Sequence, residues 1–354
     1  MSVNIAAFVT SFIIALMVLP VIIRYTLRNN LVDAPGGRKI HKKITPSLGG
    51  IAIFIGFIIS SILWMDYNYW DQTRFIFASI TIVFAIGVRD DLVPFRAVHK
   101  LYGQIVAIVI LLFSPIALQS FHGLFGIEEI SPWISYPLSC FAIVVITNAF
   151  NLIDGLDGLA ASVGFVALTA FGLWFFWIGD LTYSLFCFTL MGGITAFLVF
   201  NWQPAEIFMG DTGAMVIGMV LSILVLHFIN MDGNLPLGHP ARVAAPISTA
   251  ACFIIVPLAD TMRIVVLRLS KGQSPFRPDK SHIHHAIMRL GRTHSQTALI
   301  LASVNAGFIG CSYLLRNVGD NYLLIFVVVA AAILSVILDR LIIRKATKVS
   351  PKVS

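Results

Sequence analysis

The sequence predicts an all-α, polytopic membrane protein with about eleven transmembrane helices. Its 354 residues are 58% hydrophobic and only 12% charged, whereas soluble domains are about 45–50% apolar and about 25% charged. The apolar residues lie in repeated runs of about 20, the length of a helix that crosses the hydrocarbon core of a bilayer. These runs are continuous rather than alternating, so helices are expected instead of the strands of a membrane barrel.

Five spans are expected in the first part of the chain. The first is long for a secretory signal and lacks a basic start and a small-residue cleavage site, so we expect it to be retained. The outer loop at residues 66–74 is rich in Tyr and Trp, as is typical of a membrane interface. The third span is short. The expected spans are residues 3–25, 48–65, 75–88, 101–120 and the run that ends near residue 147.

Six further spans complete the prediction. Asp180 marks a tight outer turn, and another outer loop holds residues 232–242. A long basic loop at residues 263–296 separates the ninth span from the tenth, and a basic tail ends the chain. The expected spans are residues 159–178, 185–200, 213–229, the run that ends near 263, 297–315 and 322–343.

The placement of Lys and Arg predicts the orientation of the chain. These residues concentrate in the loop after the first span, in the loop at 263–296 and in the tail at 344–354. Cytoplasmic loops carry such an excess, so the N-terminus is expected outside and the C-terminus inside. No soluble domain is visible, and residues 1–354 are expected to form one integral membrane domain. The four cysteines lie in apolar runs, as expected of reduced packing residues.

One polar stretch, NAFNLIDGLDG at residues 148–158, interrupts the apolar runs. It holds the carboxamides of Asn148 and Asn151 and the carboxylates of Asp154 and Asp157, without any Lys or Arg. A carboxylate beside hydrocarbon is costly unless it has a partner or a metal. Asp154 and Asp157 are three residues apart, so they are expected to share a face of one helical turn, with a cation or donors between them. The alternative is a polar cap on a membrane helix.

Other polar clusters are expected on the same cytoplasmic face. The inner loops with Asp154 and Asp211 contain no Lys or Arg, so a hard divalent cation is the natural counter-ion. Mg²⁺ takes one or two carboxylate oxygens together with substrate phosphate oxygens. Lys100 and Arg277 suit phosphate charge. Acids, a metal and bases at a membrane face predict phosphoryl transfer. The remaining members of these clusters are Asp90, Asp91, His282, His284 and His285.

Each cluster also has a plainer interpretation. The acids at 90–91 could end a helix and pair with Arg89, and Asp211 could cap the span that follows it without excluding a metal. The histidines could form a solvated basic loop or, with less support from their spacing, a zinc site. Asp260 is interpreted as the structural partner of Arg263, three residues later.

Four motifs occur in order along nearly the whole chain. They are Asp90-Asp91 with Lys100, NAFNLIDGLDG at 148–158, FMGD at 208–211 and SPFRPDKSHIHH at 274–285. Together they resemble the polyprenyl-phosphate N-acetylhexosamine-1-phosphate transferases, and the last motif is more similar to the WecA and TagO branch than to the MraY branch. The resemblance implies transfer of N-acetylglucosamine 1-phosphate from a UDP donor to undecaprenyl phosphate, with release of UMP. It also implies Mg²⁺, with Mn²⁺ as an alternative ion.

The resemblance assigns roles to individual residues. The metal would bind Asp211 and Asn151, the uracil base would contact Phe208 and Asp157, and the acids at 90–91 would lie at the lipid phosphate. The candidate catalytic residues are Asp90, Asp91 and Asp154. The candidate metal ligands are Asp211 and Asn151. The candidate substrate-binding residues are Lys100, Asn148, Asp157, Phe208, Arg277, His282, His284 and His285.

The expected partners are the nucleotide-sugar donor, the polyprenyl acceptor and the lipid bilayer, with no nucleic acid and with a second copy in a homodimer. The expected location is the bacterial cytoplasmic membrane, in the first membrane step of a cell-envelope polysaccharide such as lipopolysaccharide. Three alternatives stay open: another UDP-N-acetylhexosamine donor, UDP-MurNAc-pentapeptide, or a membrane transporter with an acidic cation path.

Overall fold

The computed structural model describes residues 1–29, 45–274 and 282–349, with side chains as far as Lys345. Helices dominate these ranges, which confirms the predicted all-α class. The α-helices are α1 (Ser2–Arg28), α2 (Gly49–Trp64), α3 (Trp70–Leu92), α4 (Ala97–Leu111), α5 (Pro132–Ile153), α6 (Leu159–Ile178), α7 (Leu181–Asn201), α8 (Gly210–Asn234), α9 (Pro246–Phe253), α10 (Ile255–Leu269), α11 (Ile283–Arg289), α12 (His294–Leu314) and α13 (Asp320–Val349).

The chain is a multi-pass membrane protein. Among the described residues, seven helices are long and apolar enough to cross a membrane, or up to nine if each of two bent helix pairs counts as one span. The bent pairs are α2 with α3, at 112°, and α9 with α10, at 89°. The outer helices keep large apolar side chains exposed, as a lipid-facing surface requires: Met17 on α1 is 70% exposed and Ile325 on α13 is 63% exposed.

Two helices differ from the expected spans. The third span was expected to be short, but α3 extends through polar residues at both ends, from Trp70 to Leu92. The fourth was expected to reach residue 120, but α4 ends at Leu111. Pro115 follows and cannot donate a backbone hydrogen bond, and the Ser114 hydroxyl donates to the Leu111 carbonyl at 2.5 Å.

The expected ninth span is broken into α9 and α10. Pro257 lacks the N–H that would bond to the carbonyl of Phe253 in a continuous helix. Asn305 of α12, which is fully buried, forms hydrogen bonds with the backbone on both sides of this break. Its Nδ2 donates to the Phe253 carbonyl at 2.9 Å, and its Oδ1 accepts the N–H of Val256 at 3.3 Å. One side chain therefore satisfies both orphaned backbone groups, which in hydrocarbon would be costly.

Helix α8 is the centre of the bundle, and nearly all its residues are buried. It packs against α2, α3, α5, α6 and α9. Polar contacts join the neighbouring helices inside the bundle: the Asn4 amide of α1 donates to Ser184 of α7 at 2.7 Å, and the hydroxyls of Ser61 and Thr189 are 3.0 Å apart. Such contacts between helices are the alternative to leaving polar groups in lipid. The buried position of α8 fixes its N-terminus, which carries Asp211.

Candidate active site

The candidate site is built where the first turn of α8 meets α2 and α3. Gly210 has a φ of +71°, which favours glycine, and a Cβ there would lie 2.0 Å from the carbonyl oxygen of Ser47. A Cβ on Gly50 of α2 would lie 2.0 Å from the backbone nitrogen of Gly213. The two close approaches leave no space for larger residues, and they fix the position of Asp211 between the glycines.

Asp91, at the end of α3, caps the N-terminus of α8. Its Oδ1 accepts the backbone N–H of Asp211 at 2.8 Å. Its Oδ2 accepts the N–H of Thr212 at 3.0 Å and the Thr212 hydroxyl at 2.5 Å. The first N–H groups of a helix lack partners within the helix and attract negative charge, so this contact is favourable. The interpretation of Asp211 as the cap residue is therefore wrong: Asp211 lies inside the first turn, and a neighbouring helix supplies the cap.

Lys100 of α4 links two of the predicted acids. Its Nζ is 3.1 Å from Oδ2 of Asp90 and also bonds to Oδ1 of Asp211. Asp90 additionally accepts the N–H of Phe95 at 2.5 Å. Arg89, the neighbour that was considered as the ion-pair partner of Asp90, lies over the Phe95 ring at 5.1 Å. The cation beside Asp90 thus comes from a different helix, and it connects this acid to α8.

The two predicted metal ligands lie side by side. Asn151, in the last turn of α5, has its Nδ2 placed 2.5 Å from Oδ1 of Asp211. Asn148, one turn earlier, donates to Oε1 of Gln104 at 2.9 Å and to the carbonyl of Val144 at 2.8 Å. The predicted pair is therefore brought together from α5 and α8, whereas Asn148 is tied to α4.

Asp154 and Asp157 do not share a helical turn, so that expectation is wrong. Helix α5 ends at Ile153, and both acids lie in the connection to α6, where Gly158 has a φ of +74°. The helical path ends at Asp154, whose ψ of 63° is not helical, and the left-handed Gly158 then precedes the first residue of α6. Asp157 is 2% exposed, accepts the N–H of Ala205 at 3.3 Å and has its Oδ2 3.3 Å from Nδ1 of His294.

Asp154 is half-buried among like charges. Burial and then the negative charges of Asp211, Asp91 and Asp157 raise the pKa of Asp154 to about 8. Carboxylates this close favour a bound proton or a bound cation, because like charges disfavour the ionised state. Among the described residues, the acids around Asp154 and Asp211 therefore carry more negative charge than Lys100 neutralises.

The segment that contains Phe208 is held by backbone hydrogen bonds to the start of α2. The N–H of Phe208 donates to the carbonyl of Pro46 at 2.7 Å, and its carbonyl accepts the N–H of Gly49 at 2.9 Å. The N–H of Gly50 donates to the Met209 carbonyl at 2.9 Å. These backbone hydrogen bonds fix the position of Phe208, whose half-buried side chain lies three residues before Asp211.

The histidines of the last motif pack against the acidic connection. The rings of His282 and His284 are nearly parallel with centroids 5.5 Å apart, and the His285 ring lies 4.4 Å from that of His284. A Cβ on Gly155 would lie 2.6 Å from Nε2 of His284, so this ring rests on the backbone next to Asp154. Burial and then the charge of His285 lower the pKa of His284 to about 4.

Two plainer interpretations of the histidines lose support. His282 and His284 are 8% and 2% exposed, so the interpretation of a solvated loop is wrong for both. The part of the chain that the structure describes contains no group of three His, Cys, Asp or Glu residues that could hold a metal ion, which gives the zinc interpretation no support. Arg277, another predicted substrate-binding residue, lies outside the described residues.

Comparisons with known proteins identify the family. A family model described as glycosyl transferase family 4 matches residues 73–229. A Bacillus subtilis protein, named as a probable undecaprenyl-phosphate N-acetylglucosaminyl 1-phosphate transferase, is 32% identical over 86% of this chain and 82% of its own length. The chain belongs to this transferase family. An Escherichia coli protein named undecaprenyl-phosphate alpha-N-acetylglucosaminyl 1-phosphate transferase is 33% identical over 79% of the chain and 74% of its own length. A Yersinia pestis protein of the same name is 29% identical over 96% and 91%.

The resemblance to the polyprenyl-phosphate N-acetylhexosamine-1-phosphate transferases is thereby confirmed, and the chain is a phosphoglycosyl transferase. Its four motifs come from distant parts of the sequence, and the helix ends carry three of them to one region around Asp211. Sequence reasoning missed two residues of this region. His294 opens α12 with no motif around it, and Asp260 was considered only as the partner of Arg263; both contact motif residues in the structure.

Proposed function

We propose that this chain transfers N-acetylglucosamine 1-phosphate from UDP-N-acetylglucosamine to undecaprenyl phosphate and releases UMP. The observation that carries the proposal is the contact of Lys100 with both Asp90 and Asp211, with Asn151 on the same carboxylate. This cluster lies at helix ends of a membrane bundle, where a lipid-anchored phosphate and a water-soluble nucleotide could meet. The names of the Escherichia coli and Yersinia pestis relatives describe transfer of N-acetylglucosaminyl 1-phosphate to undecaprenyl phosphate.

The chemistry requires positioning more than proton removal. An oxygen of the lipid phosphate attacks the phosphorus that carries the sugar, and the bond from that phosphorus to the UMP oxygen breaks. A phosphate monoester has a second pKa near 6, so at neutral pH the acceptor is largely dianionic and can attack without a base. Asp90 and Asp91 would accordingly hold Lys100 and the first turn of α8 in place. Lys100 would orient and partly neutralise the phosphates.

The residues present fit a magnesium ion. Asp211 offers a carboxylate, and the amide nitrogen of Asn151 lies 2.5 Å from it, so a turn of this amide would present its oxygen as a second ligand. Mg²⁺ needs only one or two carboxylates when phosphates and waters complete its shell. The raised pKa of Asp154, whose causes after burial are three neighbouring acids, independently favours an added positive charge. When bound, the ion would stabilise charge on the diphosphate and on the departing UMP. Mn²⁺ has the same preference for oxygen ligands.

The remaining candidates would contact the donor. Phe208 and Asp157 would hold the uracil base, and Asp154 would lie at the reacting phosphates. The other residues assigned to the donor are Asn148, Lys100, Arg277, His282, His284 and His285.

The wild-type protein in detergent is expected to release UMP from UDP-N-acetylglucosamine only when undecaprenyl phosphate and Mg²⁺ are both present. The same assay with UDP-N-acetylgalactosamine and UDP-MurNAc-pentapeptide measures donor choice through kcat/KM. A higher kcat/KM with another donor would contradict the proposed sugar, and nucleotide-independent ion flux in proteoliposomes without UMP release would favour the transporter alternative.

We further propose a single membrane domain in the cytoplasmic membrane of a bacterium, with the N-terminus outside and the site facing the cytosol. It would cross the membrane eleven times if α2, α3 and the shorter α4 are three separate spans and α9 with α10 is one. The support is the basic character of the loop after α10 and of the tail. Single cysteines introduced at Gln203, beside the site, and at Leu237, after α8, are expected to react with a membrane-impermeant maleimide from the cytoplasmic and the outer side respectively. The background for both is a variant in which the four native cysteines are replaced, and the reverse labelling pattern would overturn the orientation.

A homodimer is expected on crosslinking in membranes, and a monomer there would contradict it.

A further inference from the structure

Asp260 is a buried carboxylate on α10 that lies outside all four sequence motifs. It is 3% exposed. Its Oδ2 is 2.8 Å from Nδ1 of His282, and its Oδ1 accepts the backbone N–H of Ile283 at 2.7 Å. Both oxygens therefore contact the segment that begins α11, although residue 260 precedes that segment by more than twenty positions. A buried carboxylate is expensive unless it has such partners.

The two donors that meet at Asp260 require a carboxylate. The Ile283 N–H needs one acceptor oxygen, because it lies at the start of a helix and has no partner within it. Nδ1 of His282 needs a second acceptor when it carries the proton. An aspartate has two acceptor oxygens, whereas an asparagine has one and would turn an N–H toward the other donor. The carboxylate thus selects the His282 tautomer that is protonated on Nδ1.

The contact continues from Asp260 to the acidic connection after α5. His282 is stacked on His284 at a centroid distance of 5.5 Å and an interplanar angle of 11°. His284 in turn rests on the backbone of Gly155, which follows Asp154 directly. A chain of packed side chains therefore runs from α10 to the site, and its first member is the only one that is not part of a motif.

We propose that Asp260 is a positioning residue for the transfer reaction, which fixes the ring of His282 and through it holds His284 against the turn at Gly155. This inference rests on the proposed function of the histidine motif. Helix α10 then contributes to the reaction, because it carries Asp260, the carboxylate that holds the histidines. The low pKa of His284 agrees with this arrangement, because a neutral ring can lie in this buried place without a counter-ion.

A double-mutant cycle tests the proposal. Asp260→Asn keeps one acceptor for the Ile283 N–H but removes the acceptor for His282. It is expected to lower kcat/KM for UDP-N-acetylglucosamine about 10- to 100-fold, the range for loss of a carboxylate that orients a metal-ligating histidine. His282→Gln is expected to lower it at least as much. Because Asp260 acts through His282, the double variant should equal His282→Gln within about twofold.

Asp339→Asn is the matched control. Arg263, one turn after Asp260 on the same helix, donates to Asp339 of α13 at 2.6 Å, so the control also breaks a carboxylate contact of α10. It is expected to leave kcat/KM within about twofold of wild type and to be multiplicative with His282→Gln. Thermal unfolding in detergent verifies that all variants are folded.

Three outcomes would overturn the proposal. They are an Asp260→Asn variant with wild-type kcat and KM, a His282→Gln variant with wild-type kcat and KM, and a double variant whose loss is the product of the single losses. The wild-type donor assay separates these outcomes from a failure of the proposed function: if another donor is preferred, the cycle is measured with that donor and still decides the role of Asp260.

Discussion

Asp211→Asn is expected to reduce the rate of UMP release by about 10³-fold or more, the largest effect of any single substitution in this site. The substitution removes the charge that meets Lys100 and Asn151 and that is proposed to hold the metal ion. Initial rates at saturating donor and acceptor, measured over a range of Mg²⁺ concentrations, give the loss. Wild-type activity should disappear with EDTA and return with Mg²⁺ or Mn²⁺, whereas the variant should not recover at high Mg²⁺.

Asp232→Asn provides the control on the same helix. Asp232 lies at the other end of α8, is 1% exposed and accepts the N–H of Val243 at 2.9 Å, which an asparagine oxygen can also do. Its substitution is expected to leave turnover within about threefold of wild type. If Asp211→Asn kept near wild-type turnover at limiting Mg²⁺, Asp211 would be excluded as a metal ligand.

Lys100→Met is expected to lower kcat about 10²- to 10³-fold, because the ammonium group is the described cation that contacts both Asp90 and Asp211. Methionine keeps the unbranched side chain, so packing around α4 should change little. Without the ammonium, the negative charges of Asp90 and Asp211 are less well neutralised. The phosphates of both substrates also lose a positively charged partner. Single-turnover measurements separate the loss in the chemical step from a loss in donor binding.

Lys271→Met is the corresponding control, since Lys271 is an exposed lysine just after α10. Its turnover should stay within about twofold of wild type. Lys100→Arg should recover only part of the activity, because a planar guanidinium cannot reproduce the point charge of an ammonium between two carboxylates. Turnover of Lys100→Met close to that of the control would remove Lys100 from the site.

The spacing of residues along the chain was a good guide to the helices and a poor guide to their ends. Apolar runs of bilayer length located the helices, because hydrophobicity is a property of each segment by itself. The end of α4 before Pro115 and the break between α9 and α10 depend on backbone groups that lose a partner. At the break between α9 and α10, the side chain that hydrogen-bonds these groups is Asn305, which lies on another helix.

The acids illustrate the same division. Asp154 and Asp157 were expected on one helical turn from their spacing, but α5 ends before them and the left-handed Gly158 turns the chain toward α6. Asp90 and Asp91 are neighbours with different contacts: one meets Lys100, and the other caps α8. Adjacent positions on a helix point in different directions, so the surrounding helices decide what each contacts.

The sequence by itself determined that this protein is a helical, multi-pass membrane protein and, through its four motifs, which transferase family it belongs to. Both conclusions depend on residue types and their order, which a chain carries before it folds. Only the tertiary structure decided that Asp91 caps the helix of Asp211, that Lys100 links two acids, and that Asp260 holds His282. These contacts join residues that are far apart in the chain, and the packing of the helices brings them within hydrogen-bonding distance.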